Sequence, residues 1–153
     1  MALFNVRVYG FLTDTRGWLL VSDEIIKGKF YTKLPGGGLE FGEGTRDCLQ
    51  REFKEETGLS VQVGQHLYTT DFFQVSAFDP SHQILSIYYR VHALEDLGNL
   101  TTQTKPFAFS AEQLADPRTD REVFRWVAPK DWQEDLFSLP IDKIALQSFK
   151  QLV

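Results

Sequence analysis

A chain of 153 residues is the length of one compact domain that can bury a core without disulfides, so a single domain over residues 1–153 is expected to carry the whole function. A hydrophobic share of 42% and a charged share of 24% are those of a soluble globular chain, and no run approaches the roughly eighteen apolar residues of a membrane helix, which excludes a helical membrane span. The lone cysteine excludes an intrachain disulfide and fits a reducing, cytoplasmic setting; a net charge of −5 speaks against a long nucleic-acid footprint but leaves room for a small anion held through metal ions.

Near the N-terminus Phe4, Val6 and Val8 alternate with Asn5, Arg7 and Tyr9, and Trp18 to Val21 follows the turn-like TDTRG, a pattern that predicts a hairpin. From Tyr31 the chain enters KLPGGGLEFGEG, where Pro35 and the glycines predict a loop without regular structure. A helix is predicted over Thr45–Thr57, capped by Thr45, favoured by Asp47 in its first turn and stopped by Gly58. Strand patterns follow over 60–74 and 82–93, with SIYYRVHA the clearest. Residues 95–120, with Gly98, Asn99, Pro106 and Pro117, predict a long surface connection holding one short helix capped by Ser110 and Gln113. Another strand is expected over 122–127 and a short helix opening at Pro129. A last helix is expected to pack Ile141, Ile144, Ala145, Ser148, Phe149 and Leu152 into the core. Strands on both sides of one central helix, with another helix at the end, predict an α/β fold, a mixed central sheet in an α/β/α sandwich.

The central helix carries Glu52, Glu55 and Glu56 at i, i+3 and i+4, so three like charges share one side, two of them in the last turn where the helix dipole disfavours them. At about 100° per residue, Glu52 and Glu56 interleave with Cys48, Leu49 and Phe53, while Gln50 and Lys54 take the opposite face. Carboxylates thus stand where a merely soluble helix would place apolar residues, and partly buried anions need cations. Arg51 can neutralise one of them, with Glu43 as its partner across the loop. The excess points to a divalent ion. An all-oxygen set selects Mg²⁺ or Mn²⁺ over zinc, since no histidine or second cysteine lies in the segment.

Gly37, five residues, Glu43, seven residues and then Arg51-Glu52-Phe53-Lys54-Glu55-Glu56-Thr57-Gly58-Leu59 reproduce the pattern G-x₅-E-x₇-R-E-U-x-E-E-x-G-U, U being apolar. Over residues 37–59 the chain therefore resembles the Nudix (MutT-like) hydrolase family. The resemblance implies metal-dependent hydrolysis of a nucleoside diphosphate linked to another moiety, with water attacking phosphorus. It implies Glu52, Glu55, Glu56 and the carbonyl of Gly36 as metal ligands, and Arg51 with Glu43 as the supporting ion pair. For the general base Glu52 comes first, with Glu122 as an outlying ligand or base and Asp120 and Glu112 behind it. It also allows a homodimer.

Lys33, and less so Lys29 and Arg90, are candidates to meet phosphates; Tyr31, Phe72, Phe73, Tyr88, Phe107 and Phe109 are candidates to stack on a base. Three histidines show no ligand spacing, and Cys48 is expected to be a buried, inert thiol. Two other readings stand beside the hydrolase: a nucleotide sensor without turnover, and an RNA 5′-end pyrophosphohydrolase, which would need a local basic channel.

Overall fold

Strand β1 (Leu3–Leu12) and strand β2 (Leu19–Ile26) form where alternation predicts strands, yet they do not make a hairpin. Beyond one bridge between Thr13 and Leu19 they enter different sheets. The reason is burial on both faces: Val8, Tyr9, Phe11 and Leu12 of β1 and Leu19 to Val21 of β2 are all buried, so each is an inner strand that needs two partners. Asp14 shapes the turn between them, accepting the backbone N–H groups of Arg16 and Trp18 at 2.9 and 3.0 Å. The computed structural model describes residues 3–116 and 119–153, so Pro117 of the expected connection lies outside the described residues.

The remaining elements in chain order are β3 (Lys29–Lys33), β4 (Gly36–Gly38), α1 (Thr45–Thr57), β5 (Val61–Thr69), β6 (His82–Ala93), β7 (Thr102–Gln103), α2 (Ala111–Leu114), β8 (Arg121–Val127) and α3 (Pro140–Lys150), with single 3₁₀ turns at Leu97–Asn99 and Pro129–Asp131. One sheet has the order β4-β1-β6-β5 and the other β3-β2-β8-β7, and each mixes parallel with antiparallel pairs. The expected mixed α/β fold is present, its sheet divided in two. Neighbouring side chains enter opposite layers. Val8, Leu20 and Tyr89 pack with Cys48, Leu49 and Phe53 of α1, whereas Tyr9, Leu19 and Tyr88 pack with Ile141, Ala145 and Phe149 of α3. The two helices thus cover opposite faces.

Two further expectations are corrected. The glycine run is not wholly irregular: Gly36–Gly38 pairs antiparallel with β1, Tyr9 opposite Gly36 and Arg7 opposite Gly38. Gly36 has φ +148, and a Cβ there would run into the Val8 carbonyl oxygen, so only glycine allows this approach. In α3 the buried stripe is Ile141, Asp142, Ala145, Leu146 and Phe149, while Ile144 and Leu152 face solvent. Phe149 stacks on Phe11 with ring centroids 4.6 Å apart, which sets the helix's rotation. The short helix at Ala111–Leu114 carries the expected reciprocal Ser110–Gln113 cap. Among the described residues no helix is long and apolar enough to cross a membrane.

Candidate active site

Helix α1 has the expected bounds but a different cap. Gly44 is the N-cap, its N–H bonded to the Asp47 carboxylate at 3.1 Å, and Thr45 instead joins its hydroxyl to that of Tyr89 at 2.6 Å. Gly58, at φ 77, gives the left-handed stop and returns its N–H to the Lys54 carbonyl at 3.1 Å. Cys48, Leu49 and Phe53 are fully buried, and this anchorage fixes which way the glutamates project. Burial also pushes the Cys48 thiol up to about 12, which makes it inert, as expected.

Arg51 ties the helix to the preceding loop. Its Nε and Nη2 donate to the two oxygens of Glu43 at 3.0 and 2.7 Å, its Nη2 to the Gly38 carbonyl at 3.1 Å, and its Nη1 to Glu52 at 3.0 Å and Glu55 at 3.3 Å. Glu43 also accepts the Glu40 N–H at 2.9 Å; with the guanidinium beside it, its carboxyl is held down at about 2. A Cβ on Gly37 would lie 2.5 Å from the Glu52 carboxyl carbon, so glycine is what lets the strand approach this side chain.

On the side facing the second sheet the acids are less well served. Burial, then the charge of Glu122, then Glu52 and Glu24, push the Glu56 carboxyl far up. Burial first, and Glu24 next, lift Glu122 to about 6 against a 3.3 Å hydrogen bond from the Ser22 hydroxyl. Glu24 and Glu122 stand directly opposite each other in the β2–β8 register, an arrangement of like charges that costs stability. The countercharges on this side are Lys33, 3.9 Å from Glu24, and Arg7, which interacts with both Glu52 and Glu24. Four carboxylates from α1, β2 and β8 therefore converge electrostatically. Glu55 is 59% exposed and engaged by Arg51, and among the described residues no three acid, histidine or cysteine side chains are drawn closely enough together to hold an ion as they stand. The donor set, all oxygen, negative and partly buried, nonetheless fits a hard divalent cation.

Beside these acids a cavity of 440 Å³ opens between the sheets, lined among others by Arg7, Tyr9, Lys33, Phe78, Tyr88 and Asp142. Lys33 is buried in its wall, its Nζ 5.5 Å from the Tyr9 ring and 5.9 Å from that of Phe78. Tyr31 is not a lining residue; its ring meets Phe78 edge-on at 5.2 Å from outside. Asp120 borders the cavity, Glu112 lies exposed on α2, and Phe107 and Phe109 stack on Phe30.

Asp142 in the first turn of α3 is 2% exposed and accepts the Tyr88 hydroxyl at 2.5 Å. Burial lifts its carboxyl to about 6, against the Tyr88 bond and the charges of Lys33 and Arg7, with Glu24 adding to the rise. Below about pH 4 the group is protonated in both folded and unfolded chains; between there and pH 6 the unfolded chain ionises first, so stability falls as pH rises. The expected loss is about 3 kcal/mol at most over that window. Urea unfolding at pH 4, 5, 6 and 7 should show a shallower fall in Asp142→Asn than in wild type, and equal slopes would remove Asp142 from the account.

The NUDIX domain family model matches residues 3–144. The chain belongs to the NUDIX family. By that membership it is a Nudix hydrolase. Solved structures share its fold at low identity. The E. coli ORF135 protein is 18% identical, with a TM-score of 0.68 over 99% of this chain and 91% of that one. The MutT protein from Methanosarcina mazei Go1 is 15% identical, at 0.67 over 99% and 96%. An ADP-ribose pyrophosphatase from Streptococcus suis is 16% identical, at 0.57 over 97% and 92%.

Within this NUDIX domain Glu52 and Glu56 interact directly, Glu122 stands within reach of their charge without closing an ion-binding cluster, and Lys33 lines the adjoining cavity. Arg7, Tyr9, Glu24 and Asp142 are additions that sequence reading passed over. Two of them carry a signal in the sequence. Glu24 shares a strand face with Leu20 and Ile26 in a strand that opens and closes on apolar residues, and Asp142 lies in the apolar stripe of α3, one turn before Ala145.

Proposed function

We propose that this Nudix hydrolase cleaves a phosphoanhydride bond in a nucleoside diphosphate linked to another moiety, with Mg²⁺ or Mn²⁺ held by Glu52, Glu55, Glu56 and the Gly36 carbonyl. The observation that carries the reading is Glu56, a carboxylate on the sheet-facing side of α1 with Glu52, Glu24 and Glu122 around it and too few cations to balance them. Bound divalent metal neutralises charge on the phosphate oxygens and lowers the pKa of water. The chain's own residues do the rest. Arg51 and Glu43 fix the orientation of the helix acids, a supporting role whose loss weakens metal binding. Lys33 and Arg7, between the acids and the cavity, are placed to meet phosphate oxygens. Glu52 is the first candidate to take the proton from water and Glu122, held by Ser22, the second. The walled cavity favours a small nucleotide over an RNA end, and the Streptococcus suis ADP-ribose pyrophosphatase, similar in fold, acts on a substrate of this class.

The test is a panel of nucleoside diphosphate derivatives and nucleoside triphosphates, incubated with the wild-type protein in Mg²⁺, Mn²⁺ or EDTA and read by mass spectrometry. Turnover of at least one member with metal, and loss of at least about a hundredfold in EDTA, are expected. Tight binding of a nucleotide with no turnover under any metal would replace the hydrolase reading with that of a sensor.

A further inference from the structure

Arg7 and Tyr9 lie two residues apart on β1, on the face that borders the cavity, and their side chains meet there: Arg7 Nε donates to the Tyr9 hydroxyl at 2.7 Å. The Tyr9 ring is fixed by its neighbours. It stands 5.6 Å from the Tyr88 ring, and in the β1–β4 register it faces Gly36, where a Cβ would come within 2.8 Å of it. Lys33 Nζ is 5.5 Å from the same ring. These partners decide where the hydroxyl proton goes. A phenol has one donor and two acceptor positions, whereas a guanidinium and an ammonium can only donate. Arg7 therefore fills an acceptor position, Lys33 cannot receive the proton, and among the described residues the hydroxyl makes no other hydrogen bond. Its O–H is left for an acceptor that enters the cavity. The two cations are also short of anions: buried Lys33 reaches a carboxylate, Glu24, only at 3.9 Å, and Arg7 forms no ion pair among the described residues.

We propose that Tyr9 is a catalytic residue of the hydrolysis, its hydroxyl, turned by Arg7, donating a hydrogen bond to the phosphate oxygen that departs. The inference rests on the hydrolase reading above and adds to it the group that meets the leaving oxygen. In displacement at phosphorus the attacking and leaving oxygens stand roughly in line. Glu52 and Glu122, the candidates to take the proton from water, put the attack on the acid side. The bond that breaks then points away from them, toward the cavity, where Arg7, Lys33 and Tyr9 stand. The water oxygen bonds to phosphorus and its proton passes to the glutamate. The electron pair of the broken P–O bond stays on the departing phosphate, and Tyr9 keeps its own proton while donating. Negative charge grows on that oxygen only as the bond breaks, so a donor fixed in place beforehand acts more strongly on the transition state than on the bound substrate. In this Arg7 acts through Tyr9, as a positioning residue.

The experiment is steady-state kinetics of wild type, Tyr9→Phe, Arg7→Lys and the double variant on the best-cleaved member of the nucleotide panel, beside thermal melts. Tyr9→Phe keeps the ring and its packing. Its kcat should fall by at least about tenfold, toward the hundredfold that one lost donor to a developing charge costs, while KM stays within about threefold of wild type. A smaller loss of kcat overturns the proposal, and so does a rise in KM that accounts for the loss, because the hydroxyl would then hold the substrate and not the transition state. Arg7→Lys keeps the positive charge and drops the Nε bond, so it should lower kcat by itself and take little more from Tyr9→Phe; independent losses that multiply in the double variant would overturn the turning role of Arg7. Should Tyr9→Phe not fold, Arg7→Lys alone decides, a tenfold loss of kcat supporting the proposal and a smaller one overturning it. No turnover of any panel member by the wild type sinks the hydrolase reading and this proposal with it, whereas turnover that survives in Tyr9→Phe sinks this proposal alone.

Discussion

Glu56→Gln should lower metal-dependent turnover by at least about a hundredfold and at the same time raise the melting temperature of the metal-free protein. The two effects have one cause. Supporting residues around a metal commonly cost ten- to a hundredfold when lost, so a residue assigned to hold the ion itself is expected to cost at least the upper end of that range. In the absence of metal the same carboxyl is a liability: partly buried next to Glu52, Glu122 and Glu24, with no ion pair among the described residues, it is pushed far up and must take on a proton to stay there. An amide of the same shape needs no proton to be neutral and keeps the packing. Relief of about 1 kcal/mol would move the melting temperature by about 2–4 °C in a chain of this size. Saturating Mg²⁺ should reverse the order, because only the wild type gains the roughly 2.7 kcal/mol that a ligand at a hundred times its Kd supplies. Thermal melts of both proteins in EDTA and in Mg²⁺, beside initial rates, check all three statements. A variant that is less stable in EDTA would mean that the carboxylate makes a structural bond, and unchanged rates would mean that it is a surface acid.

The glutamates of α1 were legible because they contradict their surroundings. A helix that buries Cys48, Leu49 and Phe53 has no packing reason to carry Glu52 and Glu56 beside them, and that conflict between charge and apolar stripe is visible in a 13-residue window. The Arg51–Glu43 pair is eight residues apart, with Glu43 two residues before that helix begins. Glu24 and Asp142 are different. Each meets its partner across a long stretch of chain, Glu24 through the β2–β8 register and Asp142 through Tyr88, 54 residues earlier. Local pattern carries no information about such pairs. The same limit explains the false hairpin: alternation shows that Leu3–Leu12 and Leu19–Ile26 are strands, whereas the choice of neighbour depends on how many faces the whole chain must bury. The glycine strand failed for a different reason. A glycine run signals backbone freedom, and freedom suggests absence of order, but at Gly36 and Gly37 it is what permits close approach, to the Val8 carbonyl and to the Glu52 carboxylate.

Arg125→Leu should destabilise the fold by about 3–5 kcal/mol, the largest loss expected from a single side chain away from the proposed metal site. Asp23 is completely buried, and its carboxylate receives Arg125 Nε at 2.7 Å and Nη2 at 3.0 Å, the Thr32 hydroxyl at 2.8 Å and the Phe107 N–H at 3.1 Å. Removing the guanidinium leaves a charge in the interior with only neutral donors, which is far more costly than the net worth of the pair. Asp23→Leu combined with Arg125→Leu should therefore recover much of the loss, and urea unfolding of wild type, both single variants and the double variant measures the coupling. Additive losses would show that the two side chains do not act as a unit. The consequence reaches the site, because the pair joins the two strands that carry Glu24 and Glu122. Those acids sit opposite each other on the other face of β2 and β8 and push the strands apart. The buried pair acts against that repulsion, so in Arg125→Leu the register at Glu24 and Glu122 should loosen first. Faster amide hydrogen exchange in β8 than in α1, at temperatures where the variant is still folded, is the expected sign of it.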